Sequence, residues 1–125
     1  MNEYKPTESE LEILTVLWKK GPSTVRDVNE VLNQRKIVGY TTTLKMMQIM
    51  TEKGVLDRSL AGRTHIYSPL IMEEDVQKRL TDRLLETAFG GSAKKLILQA
   101  LGNHRASSEE LQEIKEMIQK MEEDQ

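Results

Sequence analysis

No cysteine occurs anywhere in the 125 residues. Its absence excludes a disulfide framework, a thiolate metal site and a cysteine nucleophile together. Aromatics are few: Tyr4, Trp18, Tyr40, Tyr67 and Phe89 are all of them. Apolar residues make up 38% of the chain, below the ~45–50% of an ordinary domain, which leaves material for one modest core but not two. No apolar run approaches the ~18 residues of a membrane span, and no basic-then-apolar leader opens the chain. A soluble cytoplasmic protein, not inserted in a membrane, is expected. The two histidines, His65 and His104, lie far apart, and neither has a second His or a Cys with which to share a metal. Glycine-rich phosphate loops and the nucleophile elbow are missing as well. Acidic pairs such as Glu109-Glu110 read as helix-start charges, not as an acid–base couple. The sequence supports no enzyme, and no metal or cofactor is expected.

Charge is present in quantity and is unevenly spread. Residues 1–70 hold ten Lys/Arg against eight Asp/Glu, while residues 71–125 hold eight against twelve. From Arg26 to Tyr67 the balance is +3, and from Glu109 to Gln125 it is −5. An isoelectric point near 5.8 argues against indiscriminate polyanion binding, because long-range steering is weak. A local basic face remains compatible with specific DNA reading. The split predicts a head that meets something anionic and a tail that does not.

Periodicity supplies the architecture. Thr7-Glu8-Ser9-Glu10 is a capping box, and Leu11, Leu14, Leu17 and Trp18 then recur at helical spacing until Gly21-Pro22 ends the helix. Ser23 or Thr24 starts a second helix carrying Val25, Val28, Val31 and Leu32. A third runs from Thr41 to Lys53 before Gly54. After Gly54 the period changes to that of strands. Val55–Arg58, a turn over Ser59–Gly62, and Arg63–Ser68 before Pro69 read as a hairpin. Three helices followed by a hairpin is the order of a winged helix-turn-helix. The remainder is helical: one segment follows the acidic start Glu73-Glu74-Asp75, a second runs to Gly102, and a third opens at the box Ser107-Ser108-Glu109-Glu110. The expected division is a winged-helix domain over residues 1–71 and a helical dimerisation domain over 72–125. Leu80, Leu84, Leu96, Ile97, Leu101, Leu111, Ile114 and Ile118 form narrow apolar stripes too small to stand alone at this size. A second copy of the same segment is the simplest partner, giving a homodimer.

If Thr43, Met46, Met47 and Met50 face inward, Thr41, Lys45, Gln48 and Glu52 line the opposite face of the third helix. That row is rich in hydroxyl and amide groups, as the mixed donors and acceptors of a major groove require. Thr41, Thr42 and Lys45 are the candidates for base edges or adjacent phosphates, with Gln48 at the margin. Ser23, Thr24 and Arg26 at the start of the second helix, and Arg58 and Arg63 on the wing, are candidates for phosphate. Arg35 and Lys36 also border the face. The alternative is a winged-helix protein-interaction subunit that binds no DNA, a reading the acidic tail favours.

These residues resemble the penicillinase and methicillin-resistance repressors, the BlaI/MecI family. The likeness runs from Thr7 to about Met121, through Thr7–Leu14, Gly21–Val28, Tyr40–Leu44, Glu52–Leu56, Gly62-Arg63, Tyr67–Leu70, Phe89–Ser92 and Leu96–Leu101. The resemblance implies a homodimeric repressor on a palindromic double-stranded DNA operator. It also implies relief through a membrane-bound metallopeptidase sensor and cleavage in the dimerisation half. Where the best-known members are cut at an Asn-Phe bond, this chain has Gln99-Ala100, and where the family often has an Arg late in the third helix it has Ile49. With no cysteine cluster, the copper-responsive branch of the family does not apply.

Overall fold

A computed structural model describes residues 4–125. Among them six helices and one antiparallel hairpin follow in the order α1 (Glu8–Lys20), α2 (Val25–Leu32), α3 (Tyr40–Glu52), β1 (Leu56–Ala61), β2 (Thr64–Pro69), α4 (Glu73–Ala88), α5 (Ala93–Leu101) and α6 (Ser108–Glu123). The mainly helical class and the winged-helix order are those expected. Two compact units are present, Met1–Arg79 and Leu80–Gln125. They meet within α4, where the sequence reading divides the chain after Ile71.

In the first unit the local signals act as their chemistry dictates. Thr7 and Glu10 cap α1 reciprocally at 3.1 and 3.0 Å. Thr24, and not Ser23, caps α2: its hydroxyl accepts from the Asp27 N–H at 3.0 Å, and Asp27 returns the bond at 3.3 Å. The hairpin is longer and its turn tighter than expected. Pairing runs from Leu56↔Pro69 to Ala61↔Thr64, so Ser59, Leu60 and Ala61 belong to β1 and only Gly62-Arg63 turn. Gly62 has φ +68°, the permissive first position of a two-residue hairpin connection.

Ile13, Leu14 and Leu17 of α1, Val28 of α2, Met47 and Met50 of α3, and Leu56 and Tyr67 of the hairpin are at most 1% exposed. Each such side chain contributes about 1.5–3 kcal/mol, and together they bury one face of each element. Ser23 and Tyr67 exchange backbone hydrogen bonds of 3.0 and 2.8 Å, tying the start of α2 to the wing. Trp18 Nε1 donates to the Ile71 carbonyl at 3.1 Å, tying α1 to the segment that follows the wing.

The second unit is built differently. Gly91 N–H reaches the Leu85 carbonyl at 2.8 Å as α4 ends, and Ser92 and Ser107 cap α5 and α6 at 3.2 and 3.1 Å. Yet no residue from Leu80 to Gln125 is buried. Leu80, Leu96, Leu101 and Ile114 are half-buried, while Leu84, Ile97, Leu111 and Ile118 are exposed. Ordering each residue costs about 1–2 kcal/mol of conformational entropy. A single copy of this segment buries too little to offset that.

One polar contact lies inside the first unit. Glu10 is 4% exposed; one oxygen accepts the Thr7 N–H at 3.0 Å and the other the Lys53 ammonium at 2.9 Å. Burial alone raises a carboxyl pKa, but the Thr7 N–H and Lys53 outweigh it and hold Glu10 below its usual range. The Tyr4 hydroxyl nearby is pushed up by burial and then by the Glu10 charge. Removing Lys53 leaves a buried anion, whereas removing the charge of Glu10 leaves a half-exposed cation that water can solvate. Lys53→Met is therefore expected to cost about 2–3 kcal/mol in denaturant titrations, less than the ~3–5 of a fully buried pair. Glu10→Gln should cost about 1 kcal/mol. Because the folded-state pKa is depressed, this stabilisation is complete above the ordinary carboxyl value of 4.5 and disappears as pH falls through the lower folded value. Stability measured from pH 6 down to pH 3 should fall less steeply for Glu10→Gln than for the wild type; parallel slopes would refute the linkage.

Candidate nucleic-acid interface

With Thr43, Met47 and Met50 of α3 buried, Thr41, Thr42, Lys45, Gln48 and Glu52 all stand exposed. The four polar residues named from the sequence are thus all accessible, Thr41, Thr42 and Lys45 in the N-terminal half of the helix and Gln48 beyond its middle. Arg58 on β1 and Arg63 in the hairpin turn are exposed too. Among the described residues no acidic side chain pairs with Lys45, Arg58 or Arg63. Their charge is uncompensated. Arg26 lies 3.5 Å from Glu30, one helical turn on, with both side chains largely exposed. Such a pair contributes little, so the guanidinium remains free to exchange Glu30 for another anion.

Four cations and hydroxyls named from the sequence are placed otherwise. Ser23 is 4% exposed and its hydroxyl donates to the Gly21 carbonyl at 2.8 Å; it is a structural residue of the turn and is not presented to a ligand. Lys36 reaches back to Glu12 of α1 at 3.7 Å. Arg35 and Lys36 both line the groove between α1 and α2. Thr24 keeps part of its surface, but its oxygen is occupied as the cap of α2.

What sets the direction of α3 is a side-chain network the sequence reading does not contain. Asn29 Nδ2 donates to the Val38 carbonyl at 3.0 Å and to the Thr43 hydroxyl at 2.9 Å. Asn33 Nδ2 donates to the same Val38 carbonyl at 2.9 Å, and Asn33 Oδ1 accepts the Val38 N–H at 3.1 Å. The two amides lie one turn apart at the end of α2 and hold both backbone groups of one residue, Val38. Asparagine is a poor helix-interior residue because it competes for backbone groups. A pair spaced by four residues before a polar break was the available signal.

The geometry therefore offers a rigidly held helix with hydroxyl, ammonium and amide groups outward, and arginines on a neighbouring wing. No group of three or more His, Cys, Asp or Glu among the described residues could hold a metal, and none of the described helices is long and apolar enough to cross a membrane.

Comparison with known proteins agrees with this fold. The penicillinase repressor family model matches residues 6–120. A penicillinase repressor of Bacillus licheniformis is 26% identical over 113 residues, covering 90% of this chain and 88% of its own. The methicillin resistance regulatory protein MecI of Staphylococcus aureus is 20% identical over 117 residues, covering 94% and 95%. Among solved structures, the DNA-binding domain of the repressor BlaI superposes with a TM-score of 0.52 at 28% identity, covering 60% of this chain and 93% of that one. A MarR family protein from Bacillus stearothermophilus shares the fold, with a TM-score of 0.54 at 17% identity over 97% of this chain and 76% of its own.

If Lys45 reaches a base edge, Lys45→Ala should cost about 1–3 kcal/mol on the preferred sequence and narrow the gap to competing sequences. Competition binding with single-base variants measures this. A loss uniform across all sequences would make Lys45 a phosphate contact instead.

Proposed function

The chain belongs to the penicillinase repressor family, whose members are transcriptional repressors and not enzymes, and from that premise we propose that it is a homodimer which represses transcription by gripping a palindromic operator. The observation that carries the reading is the outward face of α3, where Thr41, Thr42, Lys45 and Gln48 are exposed and Lys45, Arg58 and Arg63 have no acidic partner among the described residues. In a winged helix the N-terminal residues of the recognition helix contact base edges in the major groove. Arg26, Arg58 and Arg63 hold phosphates and fix register. Metal and cofactor have no part in this, and the protein acts in the cytoplasm.

The homodimer rests on the second unit. Leu80, Leu84, Leu96, Ile97, Leu101, Leu111, Ile114 and Ile118 are nowhere buried, and a second copy covers them symmetrically. A two-fold protein matches a palindromic site, and two weak half-site contacts become one tight one through effective concentration. Relief comes through a membrane-bound metallopeptidase sensor that lowers this avidity. The bond that the resemblance puts at the family's cleavage point, Gln99-Ala100, lies in the last turn of α5, and its carbonyl accepts Arg105 Nη1 at 2.7 Å. Cutting there requires that turn to open first.

The test is fluorescence anisotropy on the DNA immediately upstream of the protein's own gene, against scrambled DNA, across a salt series. With about three to five phosphate contacts per half-site, log K should fall against log salt with a slope of roughly −5 to −9. A slope near zero would refute DNA binding as the main activity. Charging the apolar stripe with Ile114→Asp or Leu101→Asp should give monomers by light scattering that bind the upstream fragment far more weakly. Monomers that bind as well as the wild type would overturn the avidity argument.

A further inference from the structure

Ile37 is 96% exposed, an unusual state for a large aliphatic side chain in a segment that does not move freely. The residue after it is held at both its N–H and its carbonyl by Asn33, and at the carbonyl again by Asn29, at 3.1, 2.9 and 3.0 Å. Val38 itself packs on the core of the first unit. Ile37 is thus displayed by a clamped backbone, next to one face of the connection that is anchored and another that is open. Gly39 then caps α3, and Tyr40, its first residue, is 51% exposed. Beyond Val38, exposed Gly39, Tyr40, Thr41 and Thr42 lead into the N-terminal end of α3, the end that enters the major groove in a winged helix. Beside Ile37, Lys36 lies 3.7 Å from Glu12 of α1, a surface pair that contributes little.

We infer that Ile37 is a specificity residue of the DNA interface: presented by the Asn29–Asn33 clamp, it makes apolar contact with a thymine methyl group in each half-site. The inference rests on the DNA-reading function proposed above. Thymine is the one base that offers an apolar group in the major groove, and an aliphatic side chain is the complement of that methyl. A protein partner would also cover Ile37, but its continuity with the hydroxyl and ammonium row of α3 favours the nucleic acid.

The experiment replaces the thymines of the upstream fragment one at a time by deoxyuridine, which deletes only the methyl group. Binding is then measured for the wild type, Ile37→Ser and Ile37→Val. Ile37 is in contact with solvent, so the variants should melt with the wild type. For the wild type, at least one replacement per half-site should weaken binding about fourfold, the effect of withdrawing one methyl group from an apolar contact. Ile37→Ser should bind the unmodified fragment more weakly and be indifferent to that same replacement, while Ile37→Val keeps the wild-type profile. An unchanged deoxyuridine profile in Ile37→Ser, whether or not overall affinity falls, overturns the inference and leaves the repressor reading standing. Failure of the wild type to prefer the upstream fragment at all defeats the repressor reading and the inference with it.

Discussion

The position of α3 depends on one side-chain amide. Asn29 reaches both the backbone of the connection, at Val38, and the buried face of α3, at Thr43. Hydrophobic burial of Met47 and Met50 fixes which face of the helix is inward, but dispersion and hydration forces are not directional. They tolerate a helix that slides or rotates by some degrees. Hydrogen bonds do not, because they weaken steeply away from linear geometry. The amide thus converts a helix that is merely buried on one side into one with a defined azimuth. Asn33 adds the second grip, so that both backbone groups of Val38 are engaged. Reading a base edge demands that accuracy, since a hydroxyl displaced by an ångström no longer makes its bond.

Most of the first unit was legible because its signals are local. A capping box, a Gly-Pro stop and a 3.6-residue stripe each need only a few neighbouring residues, and Thr7–Glu10, Gly21-Pro22 and the α3 face read correctly. The errors fall where a distant partner decides. Ser23 looked like one of two equivalent caps, but pairing with Tyr67, 44 positions away in the chain, takes its backbone and its burial. Lys36 looked like a cation beside α3, yet Glu12 lies within reach across α1. The turn of the hairpin was set too wide because Ser59 and Leu60 are weak strand signals taken alone. Cross-strand pairing with Ile66 and His65 makes them strand. Asn29 and Asn33 went unread for the same reason: their partners lie beyond their own helix.

The second unit shows how the two kinds of information separate. Its helix boundaries follow from Gly91, Ser92, Gly102 and Ser107, all local. Its stability does not, because the apolar stripes of α4, α5 and α6 are at most half-buried within the unit. Helices of 9 and 16 residues are marginal in water without a packed face. Sequence therefore specifies the elements and leaves their apolar stripes largely uncovered.

That insufficiency has a functional consequence on the dimer reading. If residues 80–125 complete their packing only on association, then folding of this unit, dimerisation and two-site DNA grip are one linked equilibrium. A perturbation of any member is felt by the others in proportion to its free energy. The first unit, with its own core and its clamped α3, keeps its reading surface throughout. Loss of the second unit therefore does not erase recognition but removes the effective concentration that makes recognition tight. A switch built this way needs no signal to cross from one unit to the DNA-reading helix. Weakening a few apolar contacts among Leu96, Leu101 and Ile114 suffices, because the operator distinguishes one grip from two.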